Sequence, residues 1–264
     1  MFAAGIDIGS TASKAVILDE NGQVKAKATV PIGTGTAGPE RVFGQVMELA
    51  GIARDDVAWI TATGYGRFSF EGINDQKSEL SCHAKGISHL LPGTRTIIDI
   101  GGQDIKVMRI GDKGQLLNFV MNDKCAAGTG RFLDTMAKVL DVEVSALSGL
   151  SFQADEPAEI SSTCTVFAES EVISKLAAKM SLENIAAGIH KSVARRVASL
   201  VQRVGIQPEV AMSGGVALNS GLVRSLEEEV RCHIKVHEDC QLAGALGAAL
   251  FALHNMRSCE SHTG

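Results

Sequence analysis

The chain has 264 residues, 45% of them hydrophobic, a formal net charge of −5, six cysteines, one Trp and one Tyr. That is enough apolar material for one or two buried cores. The acidic balance argues against a duplex nucleic-acid binder, and the scarcity of large aromatics argues against a base-stacking surface. The longest apolar stretch, 245–253, is too short for a membrane span, and the N-terminus lacks the basic start of a secretory signal. A cytoplasmic protein without nucleic-acid or membrane partners is expected. In that compartment scattered cysteines favour metal or cluster ligation over disulfides.

Residues 2–6 form an apolar run ending at Asp7-Ile8-Gly9-Ser10-Thr11-Ala12-Ser13-Lys14. A second run (15–18), a turn at Asn21-Gly22 and a third run (24–30) follow, which reads as strand, turn, strand, turn, strand. Residues 33–39 are a loop by composition, and Pro39 suits a first helical position. Val42, Val46, Leu49 and Ala50 recur at helical spacing. A buried strand over 57–62 ends at Thr63-Gly64-Tyr65-Gly66-Arg67, and a helix is expected over about 77–91. Pro92-Gly93 punctuates the chain and sets the boundary between a first half-domain, 1–92, and a second, 93–254. The polar stretch 255–264 reads as a frayed tail.

The second half opens by repeating the first. An apolar run (96–98) leads into Asp99-Ile100-Gly101-Gly102-Gln103-Asp104-Ile105-Lys106, then come a run (107–110), a turn at Lys113-Gly114 and a run (116–121). Internal similarity of this kind fixes architecture. Helices are expected over 131–140, from about 165, and over 182–204, where Ile185, Ile189, Val193, Val197, Leu200, Val201 and Val204 share one face. A short strand over 209–212 enters Ser213-Gly214-Gly215, and helices follow from about 219 and over 243–253.

The two glycine turns suit phosphate, because glycine admits close approach and positive φ and leaves backbone N–H groups free to donate. Gly9, Ser10, Thr11, Gly101, Gly102 and Gln103 are the candidate contacts, with Lys14 as a point charge on a terminal phosphate. Asp7 and Asp99 occupy equivalent strand ends and suit the waters of a bound Mg2+. Asp99 or Asp104 would orient the attacking water. The plain alternative for either copy is a tight turn in which Asp caps its own backbone. Two copies with matching flanks and a matching lysine favour the nucleotide reading. Gly214, Gly215 and Asn219, at a strand-to-helix junction, would carry an adenosine, with Gly244 lining the other side of the base.

This order of phosphate turn, second phosphate turn and adenosine glycines is similar to the actin/hexokinase/Hsp70 superfamily of ATPases. The resemblance covers nearly the whole chain. It implies an α/β fold of two ribonuclease-H-like half-domains, with mixed sheets, flanking helices and a nucleotide cleft between them. Fold alone leaves the function open.

Two further segments carry cysteines at expected helix starts, Asn122-Asp123-Lys124-Cys125-Ala126-Ala127-Gly128-Thr129-Gly130-Arg131 and Ser161-Ser162-Thr163-Cys164-Thr165-Val166-Phe167-Ala168-Glu169-Ser170-Glu171. Asp123 would cap the first helix, and Ser162 or Thr163 the second. A thiolate at either start would face the positive end of the helix dipole. Glu169 and Glu171 would tune the second start or, in their commoner role, simply stabilise its dipole, and Arg131 could pair with one of them. An iron–sulfur cluster usually takes four thiolates. Two per chain is half a set, which a twofold dimer completes. A buried, inert cysteine is the ordinary alternative, and spacing alone does not decide. Cys232 reads as such a core residue, and Cys82 and Cys240 fit either role.

These two segments, together with 7–14, 63–67, Ser78-Glu79-Leu80-Ser81-Cys82-His83 and 99–106, resemble the activator component of (R)-2-hydroxyacyl-CoA dehydratases. That family includes the ATPase subunits of benzoyl-CoA reductases. The resemblance implies a homodimer bridged by one [4Fe-4S] cluster on Cys125 and Cys164, with ATP and Mg2+ bound in each chain. It also implies reduced ferredoxin or flavodoxin as electron source and the dehydratase component as electron acceptor. A benzoyl-CoA-reductase-type acceptor, a small-molecule kinase and a nucleotide-gated filament protein are the alternatives within the fold.

Overall fold

The computed structural model describes residues 1–161 and 164–260. The chain opens with three strands, β1 (Phe2–Ile8), β2 (Ser13–Leu18) and β3 (Val24–Val30), then helix α1 (Gly38–Ala50), β4 (Val57–Thr63), a two-residue β5 (Asp75–Gln76) and α2 (Glu79–Leu90). Three more strands follow, β6 (Thr96–Ile100), β7 (Ile105–Ile110) and β8 (Leu116–Asn122). Four helices come next, α3 (Gly130–Val139), α4 (Ala146–Phe152), α5 (Thr165–Ala177) and α6 (Leu182–Val204). The chain ends with β9 (Val210–Ser213), α7 (Ser220–Val230), β10 (Ile234–Val236) and α8 (Ala243–Glu260).

The two sheets have the same plan. One is ordered β3-β2-β1-β4-β5 and the other β10-β9-β6-β7-β8. In each, the central strand pairs antiparallel with its hairpin partner and parallel with a later strand. The registers match as well: Asp7 lies opposite Lys14 and beside Thr63, and Asp99 lies opposite Lys106 and beside Ser213. The sequence repeat is therefore a repeat of backbone pairing.

The chain forms two compact units. The first holds Met1–Gly93, Ile110–Leu116 and the chain from His237 onward; the second holds Thr94–Arg109 and Leu117–Val236. A linear division at residue 92 puts the last helix in the second half, whereas α8 packs on the first sheet. The strand period explains this. Alternate residues of β1 point to opposite faces, so Ala4, Ile6 and Ile8 join α1 in one core while Ala3 joins Ala245, Ala249 and Ala252 of α8 in another. The small residues of α8 let backbones meet. A Cβ on Gly5 would lie 2.1 Å from Ala245 O, one on Gly86 2.0 Å from Ala243 O, and one on Gly247 1.8 Å from Cys82 O. Strand β1, helix α8 and helix α2 are thus joined with no room for a methyl group.

Other elements depart from the sequence reading at their ends. Helix α2 starts at Glu79, capped by Ser78, whose hydroxyl accepts from the Ser81 N–H. Helix α3 starts at Gly130, with Thr129 at the cap position, so Asp123 is not its cap. The N-cap of α5 is Cys164; Ser162 and Thr163, the expected caps, lie outside the described residues. Helix α4 was not expected, and α8 continues through the stretch read as tail, as far as Glu260. Helix α6 spans the expected residues, and its seven-residue stripe is buried. Among the described residues, no helix is long and apolar enough to cross a membrane.

One buried group in α6 sets an acid limit. His190 is fully buried, and neither ring nitrogen has a partner among the described residues. Burial pushes its pKa down to about 4. The folded state keeps it neutral, while the unfolded chain takes up a proton below pH 6.5, so stability falls as pH drops from 6.5 to 4. The loss is on the order of 3 kcal/mol. His190→Leu should flatten that limb in urea titrations across this window, and an unchanged slope would contradict the assignment. Gly247→Ala should cost about 1–3 kcal/mol or more by overpacking α8 on α2, read as a lower urea midpoint at constant m-value.

Candidate functional site

Each unit holds a carboxylate at the C-terminal end of its central strand, buried by three neighbours. In the first unit Asp7 is 2% exposed. Lys14 Nζ reaches its Oδ2 at 3.2 Å from the antiparallel strand. From the parallel strand, Gly64 has φ +85°, and a Cβ there would come within 2.6 Å of Asp7 Oδ1 and 2.5 Å of Ile8 O. Only glycine tolerates both conditions. Between the strands, Gly9–Ala12 form the tight turn, with Gly9 N–H donating to Ala12 O at 3.1 Å and Thr34 N–H donating to Gly9 O at 2.9 Å. Asp7 Oδ1 is buried and has no partner among the described residues.

The second unit repeats the arrangement. Asp99 is 1% exposed. Lys106 Nζ lies 3.3 Å from its Oδ2 and 2.7 Å from Asp104 Oδ2. Gly101 N–H donates to Asp104 O at 3.0 Å. Gly214 has φ +87°, and its Cβ would fall 2.3 Å from Ile100 O and 3.0 Å from Asp99 Oδ1. Thr63-Gly64 and Ser213-Gly214 are therefore equivalent, a third part of the repeat that sequence reading missed. The signal was present: a buried strand ending in a hydroxyl residue and glycine. One difference matters. Ser213 Oγ donates to Asp99 Oδ1 at 2.7 Å, whereas Thr63 Oγ donates to Lys77 O at 3.0 Å. The first carboxylate keeps an open oxygen.

The sequence-derived candidates fall into place unevenly. Gly9, Ser10, Thr11 and Lys14 sit at the first turn, and Gly101, Gly102 and Gln103 at the second. Gly214 and Gly215 lead from β9 into a 3-10 turn. Asn219 caps α7, its side-chain oxygen accepting from Leu222 N–H at 2.9 Å and from Ser148 Oγ at 2.7 Å. Leu218, at the end of that turn, is 60% exposed. Gly244 lies in the first unit, where a Cβ would be 2.9 Å from His83 Nε2 and 3.0 Å from Asp7 Oδ2. That packing leaves no room for a side chain at residue 244. With its amide turned so that the oxygen faces Arg131, Gln103 accepts from Nη2 at 3.0 Å; among the described residues Arg131 has no pair with Glu169 or Glu171. Glu171 instead accepts from Ser161 N–H and Oγ, each at 2.8 Å.

The six cysteines separate by environment. Cys82 and Cys240 are buried. Burial pushes the Cys82 thiol up to about 12, which keeps it protonated. Burial also raises Cys232, with Glu227 adding to the effect. Cys125 is half-buried and Cys164 is exposed. Cys125 sits in a loop held by Asn122 Nδ2 to Cys125 O at 3.0 Å and by Thr129 Oγ to Ala126 O at 2.7 Å. The next two residues grip the second glycine turn: Gly130 N–H donates to Gly101 O and Arg131 N–H to Gly102 O, each at 2.9 Å. Val166 and Phe167, just after Cys164, are each 66% exposed.

Comparison with known proteins places the chain in a family. The BadF/BadG/BcrA/BcrD ATPase family matches residues 4–252. A 2-hydroxyisocaproyl-CoA dehydratase activator of Clostridioides difficile is 54% identical over 260 residues, 98% of each chain. The (R)-2-hydroxyglutaryl-CoA dehydratase activating ATPase of Acidaminococcus fermentans is 54% identical over 253 residues, 96% of this chain and 97% of that protein. A solved structure of the activator of the 2-hydroxyisocaproyl-CoA dehydratase from Clostridium difficile, with bound ADPNP, superposes with a TM-score of 0.97 at 53% identity, covering 99% of this chain and 98% of that one. The fold is that of the actin-type ATPases, two ribonuclease-H-like half-domains with mixed sheets and flanking helices. A family match of this length, on a chain with two carboxylate-and-glycine turns, makes the protein a member of the BadF/BadG/BcrA/BcrD ATPase family.

Proposed function

We propose that this ATPase is the reductive activator of a (R)-2-hydroxyacyl-CoA dehydratase. ATP hydrolysis in the chain would drive low-potential electron transfer to that dehydratase, with reduced ferredoxin or flavodoxin as the source. Similarity to activators of three such dehydratases supports the reading. The observation that carries it is the backbone bridge from Gly101 and Gly102 to the start of α3, which ties a phosphate turn to the Cys125 loop.

The donor sets fit the groups the family implies. Asp7 Oδ1 is a buried carboxylate oxygen without a partner among the described residues, the hard ligand that Mg2+ or its waters take. When bound, Mg2+ offsets charge on the transferring phosphate. Cys125 and Cys164 are accessible thiols, each leading into a helix, whereas buried Cys82 and Cys240 cannot reach a shared ligand. Two copies of the chain would supply the four thiolates of one [4Fe-4S] cluster, a one-electron carrier. The exposed Val166 and Phe167 beside Cys164 suit burial against a second copy.

The proposed phosphate contacts are the backbone of Gly9, Ser10, Thr11, Gly101 and Gly102, with Gln103 and Lys14. Asp7 and Asp99 hold the waters of the metal. Asp104 holds Lys106, since its Oδ2 is the nearer of the two carboxylate oxygens. Gly214, Gly215 and Asn219 border the adenosine. Loss of a phosphate changes what the 101–103 turn holds. Gly130 and Arg131 follow that turn through their N–H bonds, and Cys125 follows through the turn 126–129. Helix α3 packs on α5, whose cap is Cys164. Both thiols therefore feel the nucleotide, and shifting ligands or their hydrogen bonds is how a protein sets a cluster's potential.

Protein prepared without oxygen, with iron and sulfide supplied, should carry about four irons per dimer and absorb in the visible. The double variant Cys125→Ser, Cys164→Ser should be colourless and unable to activate the dehydratase, yet still bind ATP. Retention of iron by that variant would refute the ligand assignment.

A further inference from the structure

The stretch Ser78-Glu79-Leu80-Ser81-Cys82-His83 has no part in the account so far, yet the structure brings its last residue to the first carboxylate. Ala3, Gly5 and Asp7 share the face of β1 that α8 covers. Gly5, Gly86 and Gly247 let β1, α8 and α2 meet backbone to backbone, so α2 has little freedom to slide. His83, on the second turn of α2, is 4% exposed. Its Nε2 lies 2.9 Å, and Asp7 Oδ2 3.0 Å, from the single point where residue 244 would carry a Cβ. The absent Cβ of Gly244 lets ring and carboxylate share that space.

The two oxygens of Asp7 are treated differently. Oδ2 faces Lys14 Nζ at 3.2 Å and, like His83 Nε2, borders the point where residue 244 would carry a Cβ. Oδ1 faces the side kept clear by Gly64 and has no partner among the described residues. The χ2 torsion of an aspartate is broad and roughly twofold, so an unbraced carboxylate would exchange its oxygens. Lys14 is a weak brace alone, a point charge on a flexible stem. An imidazole fixed by a helix is a stiffer one.

We propose that His83 is a positioning residue for nucleotide chemistry: with Lys14 it braces the Oδ2 edge of Asp7 and so presents Oδ1 to the hydrated divalent cation of the bound nucleotide. This rests on the reading of Asp7 as a metal-side carboxylate. Loss of such an outer partner typically weakens metal binding about 10- to 100-fold. Phenylalanine keeps the ring and removes the nitrogens. Asparagine places its amide near the Nδ1 position, and glutamine near Nε2.

The test measures free Mn2+ by electron paramagnetic resonance in the ADP complex of the anaerobically prepared protein, for wild type, His83→Phe, His83→Asn, His83→Gln and Asp7→Asn. Binding of a fluorescent ADP in excess EDTA serves as a metal-free control. The expected result is Mn2+ binding weaker by about 10- to 100-fold in His83→Phe and His83→Asn, near wild type in His83→Gln, with metal-free ADP binding unchanged throughout. Wild-type Mn2+ affinity in the Phe and Asn variants, with Asp7→Asn impaired, overturns the role of His83 and leaves that of Asp7 standing. A Gln variant as weak as the Asn variant overturns the role of the Nε2 atom. Wild-type affinity in Asp7→Asn overturns the reading on which the proposal rests.

Discussion

A carboxylate buried at the end of a central strand is the constraint around which each half of this protein is arranged. An isolated buried charge is costly unless paired and hydrogen-bonded. The sheet supplies the pairing through its own register: a lysine from the antiparallel neighbour, and from the parallel neighbour a glycine whose positive φ keeps the space beside the carboxylate open. Built twice, the arrangement yields two similar turns, each closed by the N–H of its first glycine. The halves then diverge at one hydroxyl. Ser213 satisfies Asp99, while Thr63 turns to Lys77 O and leaves Asp7 Oδ1 open. The two carboxylates thus differ in whether their Oδ1 has a partner among the described residues.

The second unit adds mechanics to this chemistry. Its glycine turn, the proposed phosphate contact, is not a free loop, because the first two N–H groups of α3 are spent on its carbonyls. Helix N-termini always have such donors to place. Using them here makes α3 an extension of the turn, and Cys125 lies just before that junction. Glu171 does comparable work on α5, clasping Ser161 ahead of Cys164. Local backbone bonding, rather than long-range electrostatics, is the route by which nucleotide and thiol would communicate.

Much of this was legible in the chain. The repeat of Asp, glycine and lysine between apolar runs gave both hairpins, the equivalence of Asp7 and Asp99, and the two-part fold, because hairpin register is local. The stripe from Ile185 to Val204 gave α6 for the same reason. Features that depend on non-local packing were not legible. Helix α8 reads as a continuation of the second half, and only contact with β1 and α2 explains its alanines and glycines. The packing of Gly244 against Asp7 and His83 was not legible, because these neighbours in three dimensions are remote in sequence. Thr63-Gly64 and Ser213-Gly214 were not matched because the helices of the second unit separate Ser213 much further from Asp99 than Thr63 lies from Asp7. Asp123 was misplaced as a cap because the turn 126–129 intervenes between Cys125 and α3.

The central claim is that the phosphate turn and the Cys125 loop move as one body. Hydrogen–deuterium exchange at the Gly130 and Arg131 amides, compared between the ADP complex and the complex with a non-hydrolysable triphosphate, tests it most directly. The account predicts that both amides exchange at clearly different rates in the two complexes, together with the flanking 126–129 turn. Identical exchange in both complexes, with the nucleotide demonstrably bound, would contradict it.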